Sequence, residues 1–368
     1  MFDWNKIIQT KIRQMKKATV LIACLLFFAS RNTVLAQDAN VMRVHYINIG
    51  QGAAVLLEFP CGAMLIDAGA QDATYHAKLI SYLTDFFTKR KDLNNTLDLV
   101  MVTHPHLDHN EALADVAKTF KIKRYIDDGM RTGSGRKNQK MLQDSASAWQ
   151  IKYASYTYES ITTHDNIKGL TNDMIDPIQC KNGDPKIYMY SSRFDAQPDA
   201  WSKTDYDNAN NQSLVVKVLF GKASFLFTGD METKGLETIV NKYGASKALN
   251  ADVLMVGHHG ADNATTDEYL DAVAPKYAVI SCGPWDDGKE PHKTFSTYSY
   301  GHPRISTVEM LEKHIVKKRL SVVHVKAGVK SKEFKDIDVT KCVYATPWDG
   351  NVVVTATTDA KYTVRTGK

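Results

Sequence analysis

The sequence predicts an α/β fold of two similar halves, and three observations lead there. Apolar runs of strand length, at 41–49, 53–58, 97–102 and 213–219, alternate with stretches of helical patterning. No Pro-, Gly- or Ser-rich linker divides the earlier set from the later one. With 368 residues, 43% hydrophobic and 24% charged, the chain can bury a large core as one big domain or two small ones.

The elements follow in order. Residues 18–29 form an apolar run behind Lys16 and Lys17, too short to span a bilayer comfortably. The small residue Ala36 before Gln37 fits a cleavage site, so residues 1–36 read as a secretory signal, with translation expected to start at Met15. Cys24 stands in a lipobox-like context, but the most apolar part of the run follows it, which is the wrong order for a lipoprotein. The expected product is a periplasmic or secreted chain, residues 37–368, forming one domain, with no transmembrane segment and no predicted protein partner.

Removing residues 1–36 takes away six basic side chains and one acid from the net +5, leaving 40 of each sign. Global charge therefore gives no argument for nucleic acid, and any such contact must rest on a local patch. Cys61, Cys180, Cys282 and Cys342 form no C-x-x-C pair. An oxidising compartment permits one or two disulfides, in pairings the sequence does not rank, and isolated buried thiols fit equally well.

Strands are expected at 41–49, 53–58 and 63–66, then a helix over 73–88 and a buried strand ending at Val102. A helix over 111–119, a strand over 122–126, a flexible basic loop over 128–137 and a polar helix to Trp149 come next. Tyr-rich short strands lead to the polar stretch 205–212 and a strand pair ending at Asp230. Then come a helix (233–242), a strand (253–256), a helix from Thr266 with capping-box spacing, and a strand (277–281). A helix (306–315), a strand (320–324) and a hairpin around Asp349 and Gly350 complete the chain.

The chemistry concentrates at 103–109, where His104, His106, Asp108 and His109 stand at H-x-H-x-D-H spacing directly behind a buried strand. In extended backbone, side chains two apart point the same way, so His104 and His106 can hold one ion. Asp108 and His109 can turn to a second. Imidazole and carboxylate suit zinc, manganese or iron, so one or two divalent ions, Zn or Mn, are the expected cofactor. A polar loop with coincidental histidines is the competing account.

These segments resemble the metallo-β-lactamase superfamily, in particular its ComEC-type extracytoplasmic domain. The likeness includes the strand–glycine turn–strand at 44–58, the strand with Asp67, the paired strands closing on Asp230, the strand before His258 and His259, and Gly301-His302-Pro303. It implies a four-layer αβ/βα sandwich with metals at one edge of the sheets. It also implies a ligand set of His104, His106, Asp108, His109, Asp230 and His258, with Asp230 bridging and His259 in a supporting place. Asp67 is read as a support and His302 as either a substrate contact or a turn cap. His45, His76, His164, His314 and His324 are read as structural. Gly50-Gln51-Gly52 is not a dinucleotide fingerprint.

Two departures stand out. Residues 208–212 hold no histidine where most two-zinc members complete the His104/His106 site, leaving Asn210 or Asn211 as weak substitutes. Asn48 and Ala53 replace two aspartates usual in the first turn. The expected activity is metal-dependent hydrolysis of a phosphodiester, from nucleic acid or a cell-envelope polymer, with Asp108 and Asp230 as catalytic residues. A lactonase or β-lactamase-like amidase and a non-catalytic metal-binding module are the alternatives. Arg131, Arg136 and Lys137 are either anion contacts or a solvated basic loop.

Overall fold

The larger of two mixed β-sheets runs, edge to edge, through Tyr362–Thr366, Val352–Thr357, Val41–Tyr46, Val55–Glu58, Ala63–Ile66, Leu99–Met101, Arg124–Asp127 and Lys152–Ser155. The smaller follows the order Val343–Ala345, Tyr277–Ile280, Val253–Met255, Ala223–Phe227, Val215–Phe220 and Pro185–Ser191. The structure is a computed structural model describing residues 38–164, 167–286 and 295–367. The expected secretory segment, residues 1–36, lies outside the described residues. Among those described, no helix is long and apolar enough to cross a membrane.

Side-chain alternation builds the layers. Val55, Leu57, Met64, Ile66, Leu99 and Met101 enter a core shared with Val216, Val218, Phe225 and Phe227 of the smaller sheet. The residues between them, Leu56, Ala63, Leu65, Val100 and Val102, face a second core with Leu79, Leu83 and Phe87 of the helix Ala73–Lys89. A period of two places successive side chains on opposite faces, so strands apolar at every position need cover on both. Burying each of these Leu or Phe side chains contributes about 1.5–3 kcal/mol. Helices Thr233–Tyr243, Asp267–Val273 and Ile305–His314 supply Leu236, Ile239, Leu270, Val273, Val308 and Leu311 to the smaller sheet. The result is the four-layer αβ/βα sandwich.

Parallel pairing sets where function gathers. Strands Ala63–Ile66, Leu99–Met101 and Arg124–Asp127 run parallel, as do Ala223–Phe227, Val253–Met255 and Tyr277–Ile280. The loops leaving their carboxyl ends bring Asp67, residues 103–109, Asp230 and residues 257–260 together. Carboxyl ends of parallel strands are a usual place for such clefts.

Several expectations are corrected. The helix predicted over 111–119 is broken into Leu107–Asn110 and Leu113–Thr119, with Asp108 and His109 inside the first piece. The strand over 122–126 divides into Lys121–Ile122 and Arg124–Asp127, in different sheets. The strand over 320–324 is part of a long ribbon, Lys318–Lys330 paired with Glu333–Lys341, separate from both main sheets. Asp349 and Gly350 make no hairpin. Asp349 ends a short helix between the two sheets, accepting from the Ala345 N–H at 3.0 Å and pairing with Arg319. The last hairpin joins Val352–Thr357 to Tyr362–Thr366 instead. Of the cysteines left open, Cys61 and Cys180 form a disulfide, while Cys282 and Cys342 are free and buried.

Candidate metal centre

The heptapeptide 103–109 hangs between two glycine positions and a buried carboxylate. The Ala53 N–H and the Ala68 N–H donate to the Asp108 and His109 carbonyls at 2.9 and 2.8 Å. A Cβ on Gly69 would stand 1.6 Å from the Asp108 carbonyl oxygen, and one on Gly52 at 2.5 Å, so the backbone approaches too closely for any side chain. Asp67, itself in a left-handed conformation (φ 60°), accepts from the Thr103 N–H at 2.7 Å and its hydroxyl at 3.0 Å. Its Oδ2 also takes the His109 Nδ1–H at 2.7 Å. Asp67 therefore fixes both the start of the loop and the tautomer of His109.

That tautomer leaves His109 Nε2 with a lone pair, 3.0 Å from Asp230 Oδ1 and 3.3 Å from His259 Nε2. His259 is fixed likewise, its Nδ1–H donating to the Ser281 carbonyl at 2.7 Å. Its Nε2 lies 3.3 Å from Asp108 Oδ2 and 3.4 Å from Asp230 Oδ2. Donor atoms of Asp108, His109, Asp230 and His259 all fall within 4.8 Å of one another, in a buried place. Lone pairs and carboxylates crowded this way require a positive charge among them. Protons can supply it: burial would depress His259, yet Asp230 and Asp108 outweigh it and push its pKa up to about 10. His109 is likewise raised despite burial, by Asp230 and Asp67. Burial opposes ionisation of Asp230, but His109, His259 and His258 hold its pKa well below the usual carboxylate range. The donor set fits a divalent cation equally well.

A second group stands farther from Asp230, near the Oδ2 that His259 also approaches. His104 Nε2 is 3.1 Å from His106 Nδ1 and 3.9 Å from Asp230 Oδ2. Burial, reinforced by His109, keeps the pKa of His104 well below normal, so it is neutral and ready as a ligand. His106 is lowered by burial as well. In place of the missing histidine stands Asn210. Its Nδ2 donates to Glu232 at 2.8 Å, while its buried Oδ1 has no hydrogen-bond partner among the described residues. Asn211 is turned away, tied to the Asp205 carbonyl and the Gly235 N–H.

The tightest cluster takes in the second of the paired histidines, not the first. His259, read as a support, sits inside the cluster. His258, read as the ligand, has Nε2 3.9 Å from Asp230 Oδ2, with Nδ1 3.1 Å from Asn263 Oδ1 and 3.6 Å from Glu232. Both residues take left-handed backbone, φ 48° and 56°, at a cost of about 1 kcal/mol each. That double turn swings the second ring inward, which strand spacing could not foresee.

The cluster opens into a cavity of about 280 Å³ whose wall also includes Gln51, Ser134, Tyr300 and His302. The Gly283 N–H donates to Thr297 Oγ1, whose hydroxyl donates to Gln51 Oε1 at 3.0 Å. Gln51 Nε2 then donates to His302 Nδ1 at 3.1 Å. Burial, with the nearby His259 and His258, holds the His302 pKa well below normal, leaving a neutral ring with its N–H on Nε2. His302 thus belongs to the cavity wall rather than to a turn cap. Gln51 carried no signal beyond its place in the glycine turn, since its partners are 20 to 251 residues away. His45 and His314 are structural, held by Glu58 and Asp267 respectively.

Residues 47–130, which include the whole heptapeptide, match the family profile described as Metallo-beta-lactamase superfamily. Over those residues the chain is similar to that superfamily. Competence protein ComA of Neisseria gonorrhoeae is 35% identical over 119 residues, covering 30% of this chain and 17% of that protein. ComE operon protein 3 of Bacillus subtilis (strain 168) is 28% identical over 293 residues, covering 74% of this chain and 31% of that protein. The chain is thus similar to ComEC-type proteins, and it spans less than a third of the length of these two relatives. Among solved structures, the metallo-beta-lactamase fold protein YhfI from Bacillus subtilis is 12% identical with a TM-score of 0.39, over 66% of this chain and 86% of that one. The fold is that of the metallo-beta-lactamase proteins, and the donor cluster could hold a metal ion.

Proposed function

We propose that this chain is an exported metal-dependent phosphodiesterase. The observation that carries the reading is buried Asp230, with His109 and His259 at 3.0 and 3.4 Å from its oxygens and His104, itself 3.1 Å from His106, at 3.9 Å. Two divalent ions held there, Zn or Mn, would supply a nucleophile at neutral pH and offset charge on the entering and leaving oxygens, which suits a phosphodiester. His104, His106, Asp108, His109, Asp230 and His259 would hold them, with Asn210 Oδ1 available on the weaker side.

The remaining work falls to the chain's own groups. Asp108 is kept ionised against its burial by His259 and His109, so it can accept a hydrogen bond from the attacking water and orient it. His302, neutral and fixed by Gln51, offers an N–H to a substrate oxygen from the opposite wall. The Cys61–Cys180 disulfide supports export, since such bonds persist in oxidising compartments.

The test is a substrate panel on protein loaded with Mn²⁺ or Zn²⁺: bis-p-nitrophenyl phosphate, single-stranded DNA, phosphocholine esters, lactones and β-lactams. Cleavage of phosphodiesters is expected. Turnover of lactones or β-lactams alone would replace this reading with the amidase or lactonase alternative.

A further inference from the structure

We propose that a bulged corner of the long ribbon, with Leu320 and Val322 at its tip, docks the exported chain on an anionic lipid surface. The metal cleft plays no part in the contact, which stands apart from the hydrolase chemistry. The strands Lys318–Lys330 and Glu333–Lys341 are in register at Val323 with Val339 and again at Lys318 with Lys341. Between those points the four residues Arg319–Val322 stand against Thr340 alone. Extra residues on one strand leave the ladder, and a bulge of this kind re-aims their side chains.

Arg319 turns inward and pins the base of the bulge. Its guanidinium pairs with Asp349, donates to the Val343 carbonyl at 2.7 Å and covers the Tyr344 ring at 4.3 Å. Leu320 and Val322 turn outward, the first fully exposed and the second half-exposed, and Val316 just ahead of them is 84% exposed. Val323, Val325 and Ile337 of the same ribbon pack against the core instead. Single exposed aliphatics are ordinary, but three within seven residues on a fixed base form a patch for a partner to cover.

Charge identifies that partner. Residues 316–341 carry eight basic and three acidic side chains, whereas the exported chain as a whole carries 40 of each, so the rest of it is net acidic. Glu333, Asp336 and Asp338 are paired within the ribbon, with Lys330, Lys326 and His324. Glu312, beside the bulge, engages its carboxylate with the Thr340 and Lys341 N–H groups at 3.1 and 2.8 Å. Lys318 and Lys341 stand directly opposite each other, a like-charge pair that is destabilising until an anion joins it. Lysines flanking exposed aliphatics match a bilayer, where the apolar tips enter the acyl boundary and the ammonium groups stay among anionic headgroups. A nucleic acid would use the lysines and leave Leu320 and Val322 in water. A second copy would set like charges against each other.

The placement leaves the cleft free. Val343–Ala345 begins two residues after Lys341 and runs parallel to Tyr277–Ile280 and Val253–Met255, whose carboxyl ends lead to the metal cluster. Lys318 and Lys341 therefore lie at the opposite end of the sheet, and a chain docked there keeps its cleft turned away from the lipid.

Vesicle binding tests this. Both sheets and both cores lie within residues 41–366, so the exported chain, residues 37–368, is a folding unit of its own. It is sedimented with vesicles of phosphatidylcholine, either pure or with about one-third phosphatidylglycerol. The anionic vesicles should bind it at least about tenfold more tightly, and raising salt from about 0.05 to 0.5 M should remove most of that advantage. Leu320→Ser combined with Val322→Ser should weaken binding about tenfold, as should Lys317→Gln combined with Lys318→Gln. These side chains are exposed, so the circular dichroism spectrum should not change. In Leu320→Trp, emission should shift to the blue on anionic vesicles, reporting entry of the tip into the acyl boundary. Equal binding to both vesicles, no binding, or binding indifferent to either pair of substitutions overturns the proposal. A wild-type dimer in analytical ultracentrifugation that Leu320→Ser with Val322→Ser disperses overturns it in favour of a second copy.

Discussion

The two sides of Asp230 are built from the same residue types but with different support. On one side, His109 and His259 each have the far ring nitrogen fixed by a buried oxygen, from Asp67 and the Ser281 carbonyl, and Asp108 adds a second carboxylate. On the other, His104 has the Thr103 hydroxyl at 3.2 Å behind it, and an asparagine stands where a third imidazole would complete the set. Ligands whose orientation is already fixed lose less freedom on binding a metal. The lesson is that similar donor sets need not give equal sites, because the outer partners decide how firmly each donor is aimed.

The largest effect should come from the shared carboxylate. Asp230→Ala removes the one residue that faces both groups, and Asp108→Ala removes the group proposed to hold the nucleophile. Hydrolysis of bis-p-nitrophenyl phosphate should fall on the order of a thousandfold in either, with the circular dichroism spectrum unchanged. Retained activity in Asp230→Ala would dismantle the comparison, since neither side would then depend on it.

The next effect separates the paired histidines. His259→Ala should weaken the tighter ion by 10–100-fold on the order given by lost metal-site partners, whereas His258→Ala should leave that ion in place. Metal content after dialysis distinguishes them, and the reverse outcome would restore the assignment made from sequence.

Proton coupling should distinguish the sides as well. Without metal, His109 and His259 have raised pKa values and hold protons at pH 7, and these must leave when a cation binds. His104 and His106 are lowered and already neutral. Affinity on the first side should therefore climb as pH rises from 6 towards 9, up to about tenfold per unit per proton released, while the second side stays flat. Calorimetry in buffers of different ionisation enthalpy counts those protons. Equal release from both sides would contradict the assignment.

The smallest effect is a gain. Asn210→His should tighten the weaker side by about tenfold, turning two unequal binding steps into more nearly equal ones in a Zn²⁺ or Mn²⁺ titration. Two equally tight ions in the unmodified protein would remove the premise.

How much of this was legible beforehand follows from the range over which each feature is encoded. The H-x-H-x-D-H spacing behind a buried run is local, so the metal loop, the strands before it and Asp230 at the end of a strand pair could be read from adjacent residues. The start of Asp267–Val273 was legible for the same reason, but its cap is Thr266, accepting from the Tyr269 N–H, and not the box spacing of Thr265 with Glu268. The ribbon Lys318–Lys330 was cut short because its exposed face gives little alternation to follow, with Leu320 fully exposed and Val322 half-exposed.

The sequence by itself determined the alternation of strands and helices, the H-x-H-x-D-H loop and the absence of a third histidine near Asn210, because periodicity and residue spacing act over a few residues, while the sandwich was implied by family resemblance. Tertiary structure alone decided which of His258 and His259 turns inward and how Gln51 fixes His302. Those outcomes depend on left-handed backbone and on partners far apart in the chain, and such contacts exist only once the two sheets have packed.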